Sequence, residues 1–324
     1  RPPREVMPSS RTLAGAIVGF AAVIYFIWIH AADGKQWVTP QFVNRWNYSS
    51  PQPLPSSTMA TTTLTSTTMT APEPVYDLFI VIPVHANQKS RRDAMRKAWL
   101  NYPSSNHCTA CQRHSIKIMF CLGNEGDLAV SLAEAKTEGD MFVMEDFGQN
   151  AFYTDMSMKT LRCISYAVKH FAFRFILKTD SDSFVFVDRL LDAFDHQALW
   201  SKTKMYAGNF RAGAGARASQ NTKAKWYDPD YPAATGLQEY PKHAKGAGYI
   251  LSVYLAQLLS KLSDDYFDMS SCEDVAIGAW LMPFKKDFVE LDVHIGSSCE
   301  PPTLIDHYVE GEEMVRRWRA YTET

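Results

Sequence analysis

Four continuous apolar runs, separated by stretches of helical character, constrain the fold of this chain most. The runs cover residues 76–86, 115–123, 141–148 and 173–180. Such runs are typical of strands that are buried on both faces of a sheet. The helical stretches between them cover residues 90–100, about 126–138 and 155–170. This alternation predicts an α/β fold with a single, mostly parallel central sheet flanked by helices.

Residues 75–324 are long enough for one catalytic domain of this kind. Within it, residues 212–225 are rich in Gly, Ala and Lys and are predicted to form a loop. Residues 249–262 are predicted to form a helix, because four leucines would share its inner side: Leu251, Leu255, Leu258 and Leu259. The net charge of −2 argues against a broad surface for binding nucleic acid.

The N-terminal region predicts a membrane anchor. Residues 12–32 contain no Asp, Glu, Lys or Arg, and a helix of that length spans roughly the 30 Å hydrocarbon core of a bilayer. The arginines that precede it place residues 1–11 in the cytosol as a tail, by the positive-inside rule. A cleaved signal peptide is the alternative, but the segment is long for one, and its aromatic residues suit an anchor. We therefore expect a single-pass type II membrane protein.

Residues 33–74 are predicted to form a stem between the anchor and the domain. Ser, Thr and Pro dominate residues 49–74, which cannot bury enough apolar surface to offset the entropy lost on ordering. This composition also suits O-glycosylation. Asn47 begins an Asn-Tyr-Ser sequon in the same region.

All six cysteines lie beyond the predicted anchor, on its luminal side. They are Cys108, Cys111, Cys121, Cys163, Cys272 and Cys299. An oxidising lumen favours disulfides, and six cysteines allow fifteen complete pairings, among which the sequence does not choose. The spacing of Cys108 and Cys111 also suits zinc, but the sequence has no second pair with this spacing. Disulfides are therefore expected.

Two carboxylates, Asp180 and Asp182, follow the apolar segment FRFIL directly. Open α/β sheets bind ligands outside the carboxyl ends of their strands. In an extended segment the residues i and i+2 point the same way, so both carboxylates can face one site. A divalent cation that also takes phosphate oxygens as ligands would offset their mutual repulsion. An ordinary solvated turn is the alternative interpretation.

The stretch SRRDAMRKAW carries a basic helical stripe. Ser90 and Asp93 resemble a capping box, and Arg92, Arg96 and Trp99 lie along one side of the helix. A nearby anion would offset the repulsion between the two arginines, and arginine suits a phosphate. A solvated basic face is the alternative.

The stretch SCEDVAIGAWL opens an apolar helix with Glu273 and Asp274. The helix dipole favours acidic residues in a first turn, which explains them without any chemistry. Alternatively, one of the two carboxylates removes a proton from an attacking hydroxyl.

Six motifs, in this order along the chain, resemble those of glycosyltransferase family 31, the β1,3-glycosyltransferases. They are RRDAMRKAW, DFGQNAFYTDMSMKTL, FILKTDSDSFVFV, KWYDPDYP, YPKHAKGAGYILS and EDVAIGAWL. The resemblance covers about residues 75–310. The last motif, followed by Cys299 and DHYVEGEEM, is most similar to the galactosylxylosylprotein β1,3-galactosyltransferase type.

The resemblance implies a GT-A fold that binds Mn²⁺ and a UDP-sugar. Asp182 falls on the metal-binding position of the family's Asp-x-Asp motif, and Asp180 on the position nearer the ribose and sugar. His307 resembles the late histidine that completes the metal site, with His294 as a nearby competitor. Asp274 falls on the catalytic base.

The same resemblance implies further contacts with the donor. Arg92 and Arg96 occupy the basic motif near the nucleotide. Gly246, Gly248 and Tyr249 match the glycine-rich segment beside the donor sugar. The chain departs from the family at Ser181, which replaces a middle Asp, and at His243 and Ala244, which replace a common Tyr-Cys pair.

The reaction implied is an inverting, metal-dependent transfer of galactose from UDP-galactose to a 3-hydroxyl of an acceptor sugar, forming a β1,3 linkage. Acceptors on glycoproteins, proteoglycans and glycolipids all stay open, and the implied location is the Golgi membrane with a luminal catalytic domain. Transfer of N-acetylglucosamine from UDP-N-acetylglucosamine is the first alternative. A catalytically silent luminal protein that binds glycans or a partner is the second, although such a protein has no chemical reason to keep Asp180, Asp182, Asp274 and His307.

Overall fold

The computed structural model describes residues 75–104, 108–148, 156–210, 216–262, 270–295 and 303–323. The predicted tail 1–11, anchor 12–32 and stem 33–74 lie outside these ranges, as does Cys299. Among the helices of the described ranges, none combines the length and the apolar character needed to cross a membrane.

The described ranges contain ten strands, eight α-helices and two short 3₁₀-helices at Trp99–Ser104 and Leu199–Ser201. The strands are β1 (Tyr76–Pro83), β2 (Ile116–Gly123), β3 (Met141–Met144), β4 (Phe173–Thr179), β5 (Ser183–Val185), β6 (Met205–Gly208), β7 (Gly248–Ser252), β8 (Asp287–Glu290), β9 (Val293–Ile295) and β10 (Ile305–His307). The helices are α1 (Lys89–Arg96), α2 (Leu128–Glu138), α3 (Met156–His170), α4 (Val187–His196), α5 (Asp230–Thr235), α6 (Val253–Ser260), α7 (Glu273–Leu281) and α8 (Gly311–Thr322).

Seven strands form a central sheet in the order β3-β2-β1-β4-β7-β6-β8. Six of them run in one direction, and β7 alone runs against its neighbours β4 and β6. The predicted mostly parallel sheet is therefore confirmed. Its carboxyl edge gathers the ends of β1, β2 and β4, and the turn that follows β4 contains the predicted Asp-x-Asp pair.

Both faces of the central sheet are covered, as the continuous apolar runs predicted. Along β1, Leu78, Ile80 and Ile82 belong to one buried cluster, which also contains Trp99. The alternate residues Phe79 and Val81 belong to a second cluster on the other face. A strand that is buried on both sides needs apolar residues at every position, which explains why β1 does not alternate with polar residues.

The predicted helix 249–262 is wrong in its first part. Tyr249–Ser252 belong to β7, between β4 and β6, and the helix α6 begins only at Val253. Leu251 is buried in the sheet, while Leu255 and Leu259 are buried on α6. The leucine spacing therefore spanned a strand and a helix as if they were one helix. The aromatic and β-branched residues at the start of the segment were the better indication of a strand.

A small sheet of order β5-β10-β9 lies next to the Asp-x-Asp turn. β5 begins one residue after Asp182 and pairs antiparallel with β10. The register places His307 opposite Ser183. A late segment of the chain thereby reaches the turn that follows β4.

The predicted capping box is wrong, because α1 begins at Lys89 and its N-cap residue Gln88 makes no side-chain cap. Ser90 therefore lies inside the helix. Asp93 instead accepts hydrogen bonds from Lys89 Nζ at 2.7 and 2.9 Å.

Two disulfides are present in the described ranges. They join Cys108 with Cys111 and Cys121 with Cys163. The first pair is thus not a zinc site. Within the described ranges Cys272 forms no disulfide.

Candidate active site

The two predicted carboxylates lie on a turn rather than on an extended segment. Ser183 N donates to Asp180 O at 3.2 Å, which closes a turn over Asp180–Ser183. The turn still brings both carboxylates to one place, where they meet His307. Ligand atoms of the three side chains lie within 4.8 Å of one another.

His307 is held in this group by its strand. Its Nδ1 lies 3.0 Å from Ser183 Oγ and 3.4 Å from Asp182 Oδ1, and its Nε2 lies 4.0 Å from Asp180 Oδ2. The competitor His294 lies elsewhere, because its Nδ1 is paired with Asp306 Oδ1 at 3.3 Å.

The three side chains fit a divalent cation. Two carboxylates and one imidazole are common ligands of such ions, and they leave coordination positions for phosphate oxygens. Burial raises the pKa of Asp182, and the negative charge of Asp180 reinforces the shift, whereas Arg91 opposes it. A bound cation would remove this penalty on the ionised form.

A buried ammonium group connects this cluster with the start of α7. Lys178 is 2% exposed. Its Nζ contacts Asp180 Oδ1 and Glu273 Oε2, each at 2.7 Å, and donates to Gly246 O at 2.9 Å. Burial alone would lower the pKa of Lys178, but the two carboxylates outweigh burial and raise it. The lysine therefore stays charged between the two acidic groups.

The first turn of α7 presents Asp274 to the same region. Its Oδ2 accepts a hydrogen bond from Gly246 N at 3.1 Å, and its Oδ1 accepts one from Val275 N at 2.9 Å. The two hydrogen bonds fix the orientation of the carboxylate at the start of α7. The side chain is half-buried, so the carboxylate is anchored and still accessible. Such a group can accept a proton from a bound hydroxyl.

Glu273 supports the site from behind, a role that the sequence did not reveal. It is buried, and its Oε1 accepts a hydrogen bond from Tyr249 Oη at 2.5 Å. Burial raises the pKa of Glu273 to about 7, although the charge of Lys178 opposes the shift. Its ion-pair partner Lys178 is 95 positions away in the sequence, so no local sequence pattern indicates this pair.

The glycine-rich segment contributes backbone rather than side chains. Gly246 supplies the N–H that binds Asp274 and the carbonyl that binds Lys178. A Cβ on Gly248 would lie 2.5 Å from Ile305 Cδ1, so any other residue here would force the Ile305 side chain of β10 to shift. Tyr249 is fully buried and its hydroxyl donates to Glu273, while its place beside the donor sugar stays a prediction.

The structure does not bring Arg92 and Arg96 to the cluster. Arg92 is 1% exposed and makes a bidentate pair with Glu134 at 2.9 and 2.6 Å. Arg96 contacts the same carboxylate at 2.8 Å and Asp140 at 2.7 Å. In this structure the two arginines join α1 to α2 through acidic partners, and their position near the nucleotide stays a prediction.

Arg92 nevertheless shapes the loop that follows β1. It donates to His85 O at 3.0 Å and to Ala86 O at 3.2 Å. These carbonyls lie just beyond the carboxyl end of β1, where open sheets bind ligands.

Arg91 is the arginine that faces the carboxylates. Its Nη1 lies 3.6 Å from Asp182 Oδ2 and donates to Ser181 Oγ at 3.3 Å. Its Nη2 lies 2.6 Å from Glu310 Oε2. The sequence did indicate this difference. Arg92 and Arg96 lie in line with Trp99, and the side of a helix that leads to a buried tryptophan faces the core rather than the site.

The chain is similar in sequence to proteins of known family. The sequence model of a family described as "Galactosyltransferase" matches residues 90–291. The chain is similar to beta-1,3-galactosyltransferase GALT1 of Arabidopsis thaliana, with 29% identity over 76% of this chain and 38% of that protein. It is 28% identical to the probable beta-1,3-galactosyltransferase 13 of the same plant, over 70% of this chain and 64% of the relative. The chain thus spans less than two thirds of either relative.

The chain is also similar to a mammalian galactosyltransferase and to a solved glycosyltransferase structure. Beta-1,3-galactosyltransferase 1 of Mus musculus is 27% identical over 74% of this chain and 73% of its own length. Among solved structures, a mannosyltransferase from Pyrobaculum calidifontis in complex with GDP-Man and Mn²⁺ aligns with a TM-score of 0.41 and 12% identity. That alignment covers 78% of this chain and 61% of the mannosyltransferase.

Proposed function

Because the chain belongs to the galactosyltransferase family, we propose that it is a metal-dependent, inverting β1,3-galactosyltransferase with a GT-A fold. The family predicted from the six ordered motifs is confirmed. The proposed donor is UDP-galactose, and the proposed acceptor is a sugar 3-hydroxyl on a glycoprotein, proteoglycan or glycolipid.

One observation supports this reaction above all: the buried Lys178 links the cation-binding group to the carboxylate that can accept a proton. Lys178 contacts Asp180 of the cluster, and it also binds the carbonyl of Gly246, whose N–H binds Asp274. Glycosyl transfer needs both functions side by side, one for the leaving diphosphate and one for the attacking hydroxyl. A protein that only binds glycans needs neither.

Asp180, Asp182 and His307 would hold the metal ion, for which we propose Mn²⁺. When bound, the ion supplies positive charge to the diphosphate that leaves the donor. Arg91 adds a second positive charge at the rim of the cluster, 3.6 Å from Asp182. An arginine in this position suits a diphosphate oxygen.

In the proposed mechanism Asp274 is the general base. Gly246 N and Val275 N each use one lone pair of a different carboxylate oxygen, so each oxygen retains another for a proton. Asp274 takes the proton of the acceptor 3-hydroxyl as that oxygen attacks the anomeric carbon from the face opposite the leaving diphosphate. The α-linked donor sugar then becomes β-linked in a single displacement, and no side chain has to act as a nucleophile.

For the cell we propose a Golgi enzyme whose catalytic domain faces the lumen. The uncharged segment 12–32 and the Ser/Thr/Pro-rich stem support a type II anchor. The two disulfides support an oxidising compartment.

The test is a calorimetric titration of the purified full chain with UDP-galactose and UDP-N-acetylglucosamine, with and without Mn²⁺. We expect Mn²⁺-dependent binding of UDP-galactose that Asp182→Asn removes. Asp192→Asn serves as the matched control, because Asp192 lies at the surface and pairs with Arg113. Binding of UDP-N-acetylglucosamine alone would assign the other sugar. If neither donor binds the folded chain, the transferase proposal fails in favour of a silent glycan-binding protein.

A further inference from the structure

Two aromatic side chains stand out from the surface beside the cluster. Trp226 is 60% exposed and Tyr308 is 52% exposed. Lys225 connects them, since its Nζ lies 4.5 Å from the centre of the Trp226 ring and 5.4 Å from that of Tyr308. We call these three residues the aromatic platform. Exposed apolar side chains that are grouped together often mark a binding surface, whereas singly scattered ones need no explanation.

Tyr308 is fixed next to the metal-binding group. Its ring centre lies 4.0 Å from that of His307, and the next residue, Val309, donates its N–H to Asp182 O at 2.8 Å. The backbone of Tyr308 has a φ of 66°, a conformation that a bulky residue rarely adopts. Such a conformation persists only where the surroundings impose it, and it is concentrated at functional sites.

Trp226 is fixed to the other side of the site. The neighbouring Tyr227 O accepts a hydrogen bond from Ser271 Oγ at 3.4 Å. The fully buried Asp228 accepts one from Ser270 Oγ at 2.6 Å. Ser270 and Ser271 come just before α7, whose first turn carries Asp274. The platform is therefore attached at one end to the metal-binding side and at the other to the base.

We propose that the aromatic platform binds the acceptor glycan, a proposal that rests on the proposed function. The C–H bonds of a pyranose ring carry slight positive charge on its apolar face, which packs favourably on the negative face of an aromatic ring. The Lys225 ammonium can donate hydrogen bonds to sugar hydroxyls at the same place. The occupant is the sugar that presents its 3-hydroxyl to Asp274, or the sugar next to it.

The exposure of the platform favours the acceptor over the donor. Small ligands such as a nucleotide sugar are bound in concave sites that bury most of their surface. Trp226 and Tyr308 instead stand out from the surface, which suits an extended glycan chain that continues into solvent. The nucleotide is expected at the carboxyl end of β1 and β4, where Arg91 and the carboxylates lie.

The kinetic test compares Trp226→Ala with wild type in the full chain, using methyl β-glycosides of galactose, N-acetylglucosamine and xylose as acceptors. For the glycoside that wild type galactosylates fastest, we expect the acceptor KM to rise about tenfold in Trp226→Ala, the usual loss when an aromatic anchor is truncated. The affinity for UDP-galactose with Mn²⁺, measured by calorimetry, should stay within about twofold. Trp226→Phe should recover most of the acceptor affinity.

A second variant and a control complete the design. Tyr308→Gly removes the other ring while allowing the positive φ, and it should also raise the acceptor KM. The control is Tyr254→Ala: Tyr254 is 38% exposed and has Lys204 Nζ 5.4 Å from its ring centre, the same kind of pair at a different place. The control should leave the acceptor KM unchanged. An unchanged acceptor KM in Trp226→Ala, or an equal loss of donor affinity, would overturn the proposal.

Failure of the proposed function gives a different result. In that case the wild-type chain binds neither UDP-sugar with Mn²⁺. The same glycosides are then titrated calorimetrically against wild type and Trp226→Ala. Glycan binding that the variant loses would still support the platform, and no binding of any glycoside would reject it.

Discussion

Asp274 is the residue on which the proposed reaction depends most directly. Asp274→Asn keeps the size of the side chain and removes its ability to accept a proton. We expect kcat to fall by roughly 10² to 10⁴, the usual contribution of general base catalysis, while the affinity for the donor stays near that of wild type. Radiochemical transfer assays and calorimetry on the same preparations measure the two quantities.

The matched control for this substitution is Asp287→Asn. Asp287 is exposed at the start of β8 and should tolerate the change without loss of kcat. Transfer by Asp274→Asn at near the wild-type rate would remove Asp274 from the role of base. A loss of donor affinity equal to the loss of kcat would assign it to donor binding instead.

At the scale of single residues, the sequence pointed to the acidic groups better than to the basic ones. Asp180 and Asp182 follow a buried strand at the sheet edge where open α/β folds bind ligands, so their position in the sequence indicates the site. The arginines differ because their partners are distant in sequence: Arg92 pairs with Glu134, 42 positions away. No local pattern shows such a partner, so Arg91 and Arg92 could be told apart only by which of them lies in line with Trp99, which is buried just beyond the end of α1.

Among the elements, α1 and α2 are joined by a cluster of charges that should respond to acid. Glu134 on α2 binds Arg92 and Arg96 on α1. Burial alone would raise the pKa of Glu134, but the hydrogen bonds of the two arginines outweigh it and lower the pKa from 4.5 to about 2. A lowered pKa means that the ionised group stabilises the fold above pH 4.5, and that this contribution disappears as the pH falls toward 2.

Glu134→Gln should therefore lower the free energy of unfolding at pH 7, and the difference from wild type should shrink between pH 4.5 and pH 2. Urea unfolding at a series of pH values measures this. Glu138→Gln is the control on the same helix, because Glu138 is 41% exposed and lies 4.0 Å from Arg96. A difference that is constant over this pH range would show that Glu134 acts through packing and not through its charge.

Helix α7 holds Asp274 in place through a contact that requires glycine. A Cβ on Gly278 would lie 2.5 Å from His243 Cβ and 3.2 Å from Lys242 O. Ala is normally better than Gly inside a helix by roughly 0.5–1 kcal/mol. Here the clash with the neighbouring segment should win, and we expect Gly278→Ala to lower the free energy of unfolding by roughly 1–3 kcal/mol.

Chemical denaturation measures the effect of Gly278→Ala, with Gly126→Ala as control. A Cβ on Gly126 would meet Ala86 Cβ at 3.6 Å, which is an ordinary contact. The segment that clashes with Gly278 leads directly to Gly246, which binds Asp274, so transfer activity should fall as well. A stabilised Gly278→Ala protein would mean that the segment 240–246 can move away from α7.

At the scale of elements, the apolar runs predicted the positions of β1, β2 and β4 well. They failed for β7, because a short buried strand followed at once by a helix has the same leucine spacing as one longer helix. The difference arises from the neighbours: β7 pairs with β4 and β6, and both pairings join segments that are distant in sequence. Periodicity within one segment contains no information about such pairing.

For the whole molecule, the arrangement of the site depends on late segments returning to the first half of the chain. β10 places His307 opposite Ser183, and α7 places Glu273 against Lys178. The Asp-x-Asp turn alone therefore cannot form the metal-binding group or reach the base. We infer that the fold and the site assemble together, because each of these contacts joins residues that are far apart in sequence.

The disulfides test the oxidising environment proposed for this molecule. Cys121–Cys163 closes a loop of 42 positions between β2 and α3, whereas Cys108–Cys111 closes one of 3. The entropy lost by the unfolded chain grows with loop length, so replacing both cysteines of the long loop by Ala should lower the free energy of unfolding by about 4 kcal/mol, and replacing those of the short loop by about 2 kcal/mol.

The short-loop pair is the control, since both double variants remove the same chemical groups. Urea unfolding without reductant measures both. Equal losses would contradict the loop argument, and a fully reduced wild-type chain of undiminished stability would remove the support that the disulfides give to a luminal location.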